Sequence, residues 1–177
     1  TLITREPNEI IRFKKKNKHI IIKPLYGNGG EGVFYIKEND SNFNVIIESF
    51  LSKNKEQFIL QRYIPEVKKG DKRVILIDGE VVGAINRIPK KNETRSNMHV
   101  GGKPTKTLLN KNDKLICEAI SSHLKAKGLF FVGIDVIGNY LTEINVTSPT
   151  GIREINRLNK TNIEKIFWDK ALKKLTN

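Results

Sequence analysis

Gly133-Ile-Asp-Val-Ile-Gly-Asn-Tyr-Leu-Thr-Glu-Ile-Asn-Val-Thr-Ser-Pro-Thr150 is the most informative segment of the chain. Two apolar runs flank a Gly138-Asn139 turn signal, the pattern of a β-hairpin. It carries three oxygen-bearing side chains, Asp135, Glu143 and Asn145. Side chains two apart on a strand share a face. Leu141, Glu143 and Asn145 are therefore expected on one face of the second strand. Val132, Ile134 and Val136 form an apolar row on the first strand, with Asp135 pointing away from it. Setting Asp135 opposite Glu143 requires an odd loop, most simply Gly138-Asn139-Tyr140. A two-residue turn would put the carboxylates on opposite faces. Two carboxylates and an amide on one face suit Mg²⁺, a hard cation that takes oxygen ligands and shares its shell with water and phosphate. The same pattern also fits a solvated face with ordinary polar residues, and spacing alone leaves both readings open.

Working outward, the chain has 177 residues, room for one large domain or two small ones with a real core. No apolar run approaches the roughly 20 residues that span a bilayer. No signal peptide is visible, and a start at Thr1 rather than Met suits a fragment. The single cysteine, Cys117, excludes an internal disulfide or a paired-cysteine metal site. Its apolar neighbours Ile116, Ala119 and Ile120 suit a buried, inert thiol. The cytoplasm is the expected compartment. The net charge of +13 would fit a polyanion partner. However, lysine supplies most of the positive charge and is scattered, beside abundant Asn and Ile, so coding bias is the better account.

From the start, 6–17 reads as a helix with Ile10, Ile11 and Phe13 on its apolar side. His19 to Pro24 reads as a buried strand closed by Lys23. Four glycines follow within Gly27–Gly32. Such a loop lets backbone N–H groups close on phosphate oxygens, although no Lys-Ser/Thr follows as in a P-loop. Val33–Ile36 returns as a strand. A helix over about 42–53 carries Val45, Ile46, Ser49 and Phe50, and Phe58–Ile64 is a strand closed by Pro65. Residues 1–64 thus form one α+β unit. Asp71 to Ile88 is a long hairpin with Asp78-Gly79 at its turn. Asp71 and Arg73 share a face, and an odd loop or a bulge would bring Arg87 beside them. Residues 89–105 read as a long polar loop of the kind used as lids, containing Arg95 and Asn97. Asn110 or Asn112 opens a helix to about 127 with Leu115, Ile116, Ala119, Ile120 and Leu124 as its stripe. Two short helices finish the chain.

Taken together, Lys23-Pro24-Leu25 with Gly27–Gly32, Gln61-Arg-Tyr63-Ile64-Pro65, Gly70-Asp71-Lys-Arg73, Glu93-Thr94-Arg95-Ser-Asn97, Gly133-Ile-Asp135 and Glu143-Ile-Asn145-Val-Thr-Ser148-Pro149-Thr150 resemble the ATP-grasp fold and, within it, the bacterial glutathione synthetase family. The resemblance implies an α+β chain of two subdomains, 1–64 and 65–177, whose antiparallel sheets enclose a nucleotide cleft. It implies a further N-terminal domain in full-length members.

The activity implied is ATP-dependent ligation. The carboxylate of γ-glutamylcysteine is phosphorylated by ATP, and glycine's amine attacks the acyl phosphate to give glutathione, ADP and phosphate. By resemblance, Asp135, Glu143 and Asn145 hold Mg²⁺, with Mn²⁺ as an alternative. Lys23 and the Gly27, Gly29, Gly30 loop meet the phosphates. Gln61, Tyr63 and Ile64 border adenine, and Asp71 accepts from the ribose. Arg73 and Arg87 stabilise the transferring phosphoryl group. Arg95, Asn97, Ser148 and Thr150 border the substrates. A homo-tetramer is implied, with no nucleic-acid or membrane partner. Other amino-acid ligases, of the ribosomal-protein glutamate or D-alanine type, are the runner-up reading. A basic nucleic-acid-binding module is a distant third.

Overall fold

A computed structural model describes residues 1–27, 29–53 and 55–176. Asn28 of the glycine-rich loop lies outside the described residues. The chain divides into two units, Thr1–Pro65 and Glu66–Asn177.

The first unit runs β1 (Leu2–Thr4), α1 (Pro7–Asn17), β2 (Ile20–Pro24), β3 (Phe34–Ile36), α2 (Phe43–Lys53) and β4 (Phe58–Arg62). Its sheet has the order β1-β4-β2-β3, with every neighbour antiparallel. Ile20, Ile22, Ile36, Phe58 and Leu60 present one face to Ile10 of α1 and to Ile47 and Phe50 of α2. Alternation puts Ile21, Lys23, Ile59 and Gln61 on the other face. Two expected helix faces differ. Ile11 is 55% exposed and Val45 65% exposed. On α1 the position four after Ile10 is Lys14, whose Nζ donates to the Glu38 carbonyl at 2.7 Å, so its buried stem fills the stripe. On α2 the buried pair is Ile47 and Phe50, three apart.

The second unit runs β5 (Asp71–Ile77), β6 (Glu80–Ile88), β7 (Lys103–Lys106), α3 (Lys111–Ala126), β8 (Phe131–Ile137), β9 (Tyr140–Asn145), α4 (Ile152–Asn159) and α5 (Ile163–Thr176). The antiparallel order is β7-β6-β5-β8-β9. One face packs Val74, Leu76, Val132, Ile134 and Val136 on Cys117 and Leu124 of α3. The opposite face packs Ile75, Ile77 and Ile85 on Ile155 of α4 and Ile163 of α5. The segment 89–105 is not one loop. It contains a 3₁₀ turn at Met98–Val100 and most of β7, whose edge position tolerates Pro104.

Helix α3 begins with a full capping box. The Asn110 side chain accepts from the Asp113 N–H at 2.9 Å, and the Asp113 carboxylate accepts from the Asn110 N–H at 2.8 Å. The same carboxylate oxygen binds Lys72 at 2.5 Å, which ties the helix to β5. Leu115, expected on the stripe, is 51% exposed, and Cys117 takes an inward position instead.

Both long hairpins reach their register by a bulge. In β5–β6, Asp78 and Gly79 have positive φ and form a two-residue turn. Ile75 pairs with Gly83 and Leu76 with Val81, leaving Val82 over. Asp71 thereby pairs with Arg87. In β8–β9 the turn is Gly138-Asn139, two residues rather than the expected three. Val136 pairs with Leu141 and Asp135 with Glu143, leaving Thr142 over. The Thr142 hydroxyl donates to the Asp135 carbonyl at 3.1 Å. The bulge also separates Leu141, which packs on the α3 face, from Glu143 and Asn145.

Candidate active site

Strand alternation aligns Asp71 and Arg73 with Ile75 and Ile77 on the face that α4 and α5 cover. The helices cover its apolar end, and the other end is polar. Arg73 pairs with Asp135 across β5–β8, and Asp135 with Glu143 across β8–β9. Asn145 pairs with Gly133, and its Nδ2 donates to the Gly133 carbonyl at 3.3 Å.

The side chains close into a buried network. Arg73 grips Asp135 with both arms of its fork, Nε to Oδ1 at 2.5 Å and an Nη to Oδ2 at 2.9 Å. Its other Nη donates to the Thr150 carbonyl at 3.2 Å. Arg87 bridges two carboxylates, Asp71 Oδ2 at 2.6 Å and Asp135 Oδ1 at 2.9 Å. The Ser96 hydroxyl donates to the same Asp71 oxygen at 2.6 Å. Two buried polar atoms of the network are left without a hydrogen-bond partner, Asp71 Oδ1 and Arg87 Nε.

Electrostatics follow the burial. Burial first and the neighbouring Asp135 second push the Asp71 carboxyl up to about 6, against the pull of Arg87, Ser96 and Arg73. For Arg87, burial works against the charge, but Asp71 and Asp135 outweigh it and raise its pKa. Breaking up a buried ion network is costly, because the charge left behind has lost both water and partner.

Beside the network lies an open pocket of about 440 Å³. Met98 and His99 form one wall and Pro149 to Glu154 another. Gly133 makes this packing possible. A Cβ there would sit 2.5 Å from the Pro149 Cβ and 3.3 Å from the Arg73 Cδ.

Of the residues singled out above, Asp71, Arg73, Arg87, Asp135, Glu143 and Asn145 come together on one face. Thr150 joins through its carbonyl, with its side chain exposed, as is Ser148. Asn97 precedes the 3₁₀ turn, and its carbonyl accepts from the Gly102 N–H at 3.0 Å. Arg95 turns back onto Glu93 at 2.8 Å. That contact holds Glu93 down at about 2. In the first unit, Lys23 and Gln61 share the sheet face away from the core. Gly27, Gly29 and Gly30 all take positive φ, a conformation open to glycine. Tyr63 stacks on Tyr35 at 4.1 Å, and its N–H donates to the His19 carbonyl at 3.0 Å. Ile64 directly precedes the unit boundary at Pro65. Ser96 and Thr142 escaped the sequence reading. A hydroxyl in a polar loop, or one more residue in a strand, carries no local signal.

Among the described residues no three His, Cys, Asp or Glu side chains gather as a metal site. The oxygen set here is two carboxylates and an amide, which suits a magnesium shell completed by phosphate and water. A carboxylate offers about four lone-pair sites, so Asp135 can hold its arginines and still contribute to a cation.

Two α+β units, each an antiparallel sheet with helices, define the ATP-grasp fold. The chain superposes on an ATP-grasp ligase, PsnB, solved with a minimal precursor, Mg and ADP. There the TM-score is 0.71 at 16% identity, covering 99% of this chain and 52% of that one. On a D-alanine–D-alanine ligase from Bacillus anthracis the TM-score is 0.59 at 15% identity, covering 82% and 49%.

Sequence similarity is far closer to one branch. The chain is 54% identical over 169 residues to the glutathione synthetase of Brucella melitensis, covering 96% of this chain and 54% of that protein. It is 52% identical over 174 residues to that of Agrobacterium fabrum, covering 98% and 54%. Residues 1–160 match the prokaryotic glutathione synthetase ATP-grasp domain. The chain belongs to that family. It spans about half the length of the curated relatives it matches.

Proposed function

We propose that this chain is the ATP-binding catalytic portion of a glutathione synthetase, an ATP-dependent carboxylate–amine ligase. Its substrates are γ-glutamylcysteine, glycine and ATP, and its products glutathione, ADP and phosphate. The observation that carries the reading is the network of Arg73 and Arg87 on Asp71 and Asp135, beside Glu143 and Asn145. Two guanidinium groups anchored next to oxygen donors suit the stabilisation of a phosphoryl group in transit.

In this reading residues 1–64 are the lid subdomain, with Lys23 and the backbone N–H groups of Gly27, Gly29 and Gly30 on the phosphates. Gln61, Tyr63 and Ile64 border the adenine. Residues 65–177 are the C-terminal subdomain. Asp71 uses its unpartnered Oδ1 to accept from a ribose hydroxyl. Asp135, Glu143 and Asn145 would hold Mg²⁺, or Mn²⁺ in its place, which neutralises phosphate charge when bound. Arg73 and Arg87 steady the phosphoryl group as it passes to the substrate carboxylate and as the acyl phosphate waits for the amine. Arg95 leaves Glu93 for a substrate carboxylate, while Asn97, Ser148 and Thr150 border the substrates. Closure of the 89–102 segment excludes the water that would hydrolyse the acyl phosphate. No protein nucleophile is needed.

No described helix is long and apolar enough to cross a membrane. A cytoplasmic, tetrameric enzyme is proposed from family membership.

The test is calorimetry of ATP binding with and without Mg²⁺, followed by ADP release from the full-length protein with γ-glutamylcysteine and glycine. Mg²⁺-dependent binding, with ADP release that needs both substrates, is expected. ADP release driven instead by D-alanine or glutamate would transfer the chain to another ligase of the same fold.

A further inference from the structure

We propose that Ser96 is a positioning residue: its hydroxyl ties the 89–102 segment to Asp71 and so orients Asp71 and Arg87 towards the nucleotide. The inference rests on the ligase reading above and adds to it a residue with no assigned role.

Ser96 is buried within an otherwise polar surface segment. Its hydroxyl and Arg87 both donate to Asp71 Oδ2, each at 2.6 Å. The carboxylate can then rotate only by breaking both bonds. Its second oxygen, Oδ1, is buried and unpartnered, which is where a ligand donor is wanted.

Two local devices hold Ser96 in place. On its N-terminal side, the Glu93 carboxylate accepts from the Thr94 N–H at 2.9 Å and the Arg95 N–H at 3.0 Å. On its C-terminal side, the Gly102 N–H donates to the Asn97 carbonyl at 3.0 Å. Gly102 also lies flat against Ser96, since a Cβ on it would come within 1.8 Å of the Ser96 carbonyl oxygen. The segment is thus braced on both sides of the one hydroxyl it sends into the network. Just beyond, Met98 and His99 line the pocket. The Ser96 hydroxyl therefore links the Met98–His99 wall of the pocket directly to Asp71 and, through it, to Arg87.

The experiment compares wild type, Ser96→Ala and Ser96→Thr by two readouts. One is Mg·ATP affinity by calorimetry. The other is the rate of tryptic cleavage at Arg95–Ser96, normalised to the urea-unfolded chain. Loss of the hydroxyl is expected to weaken Mg·ATP about tenfold, the effect one hydrogen bond to a charged group supports. Cleavage at Arg95–Ser96 should quicken by a similar factor while other sites keep their rates. Threonine retains the hydroxyl and should restore both. Wild-type affinity in Ser96→Ala overturns the inference even if cleavage quickens, because the bond would then be merely structural. Failure of Ser96→Thr to restore affinity also overturns it. A wild-type chain that does not bind Mg·ATP defeats the underlying ligase reading, a result distinct from either.

Discussion

Thr142 has no cross-strand partner, and its hydroxyl donates to the carbonyl of Asp135 at 3.1 Å. This one extra residue sets Asp135 opposite Glu143. Were Thr142 itself paired with Asp135, the Gly138-Asn139 turn would send Glu143 and Asn145 to the face packed on α3, since a one-residue slip reverses every side chain.

Deleting Thr142 leaves Leu141 opposite Val136 and Glu143 opposite Asp135, so Mg²⁺-dependent nucleotide binding should survive it. Glu143→Ala is expected to abolish that binding, with a stability change within about 0.5 kcal/mol because Glu143 is exposed. Calorimetry beside urea denaturation checks both: binding lost on deleting Thr142 would contradict this register, and retained affinity in Glu143→Ala would remove the hairpin from the site.

Asp135→Ala should behave differently. It leaves Arg73 and Arg87 buried with their shared partner gone. A loss of about 3–5 kcal/mol is expected, visible as a large fall in Tm. Asp135→Asn keeps the shape and should cost less. Equal Tm values for Asp135→Ala and wild type would contradict the buried network.

Gly133→Ala tests the closeness of β8 to the segment after β9. The new methyl would meet Pro149 at 2.5 Å and Arg73 at 3.3 Å. Overpacking should cost about 1–3 kcal/mol and weaken nucleotide binding as Arg73 shifts. Gly29→Ala is the control for crowding: among the described residues nothing beyond its chain neighbours lies within 4 Å of a Cβ there, so the expected penalty is that of the positive φ.

Cys117 should be unreactive in the folded chain. Burial first, then Asp113 and Glu118, push its thiol up to about 11. The raised value means less thiolate at any pH below it, so alkylation at pH 8 should be slow and should quicken as pH rises towards 11. Urea should release normal thiol reactivity. Rapid alkylation of native protein at pH 8 would show that the site opens.

Much of this was legible in order along the chain. Hydrophobic periodicity located the helices, glycine dipeptides located both hairpin turns, and the Asp135, Glu143, Asn145 trio pointed to the face proposed as the site. The helix faces were less legible at Ile11, Val45 and Leu115. Neighbouring apolar residues compete for one stripe, and only packing decides which turns inward. Sequence spacing also left one placement open in each hairpin, that of Arg87 relative to Asp71 and that of Asp135 relative to Glu143. A bulge is a compromise between strand twist and the fit of whole faces, so no local residue announces it.

Residue order alone dictates the kinds of element, their succession, and a chemistry of carboxylates, arginines and glycines. Those follow from short-range rules of period, capping and turn conformation. It takes the assembled fold to bring Arg73 and Arg87 onto Asp135, to carry Ser96 to Asp71, and to step Thr142 out of register. Each of these joins residues far apart in the chain, or depends on which face of a sheet the helices cover, and burial is a property of the assembled fold.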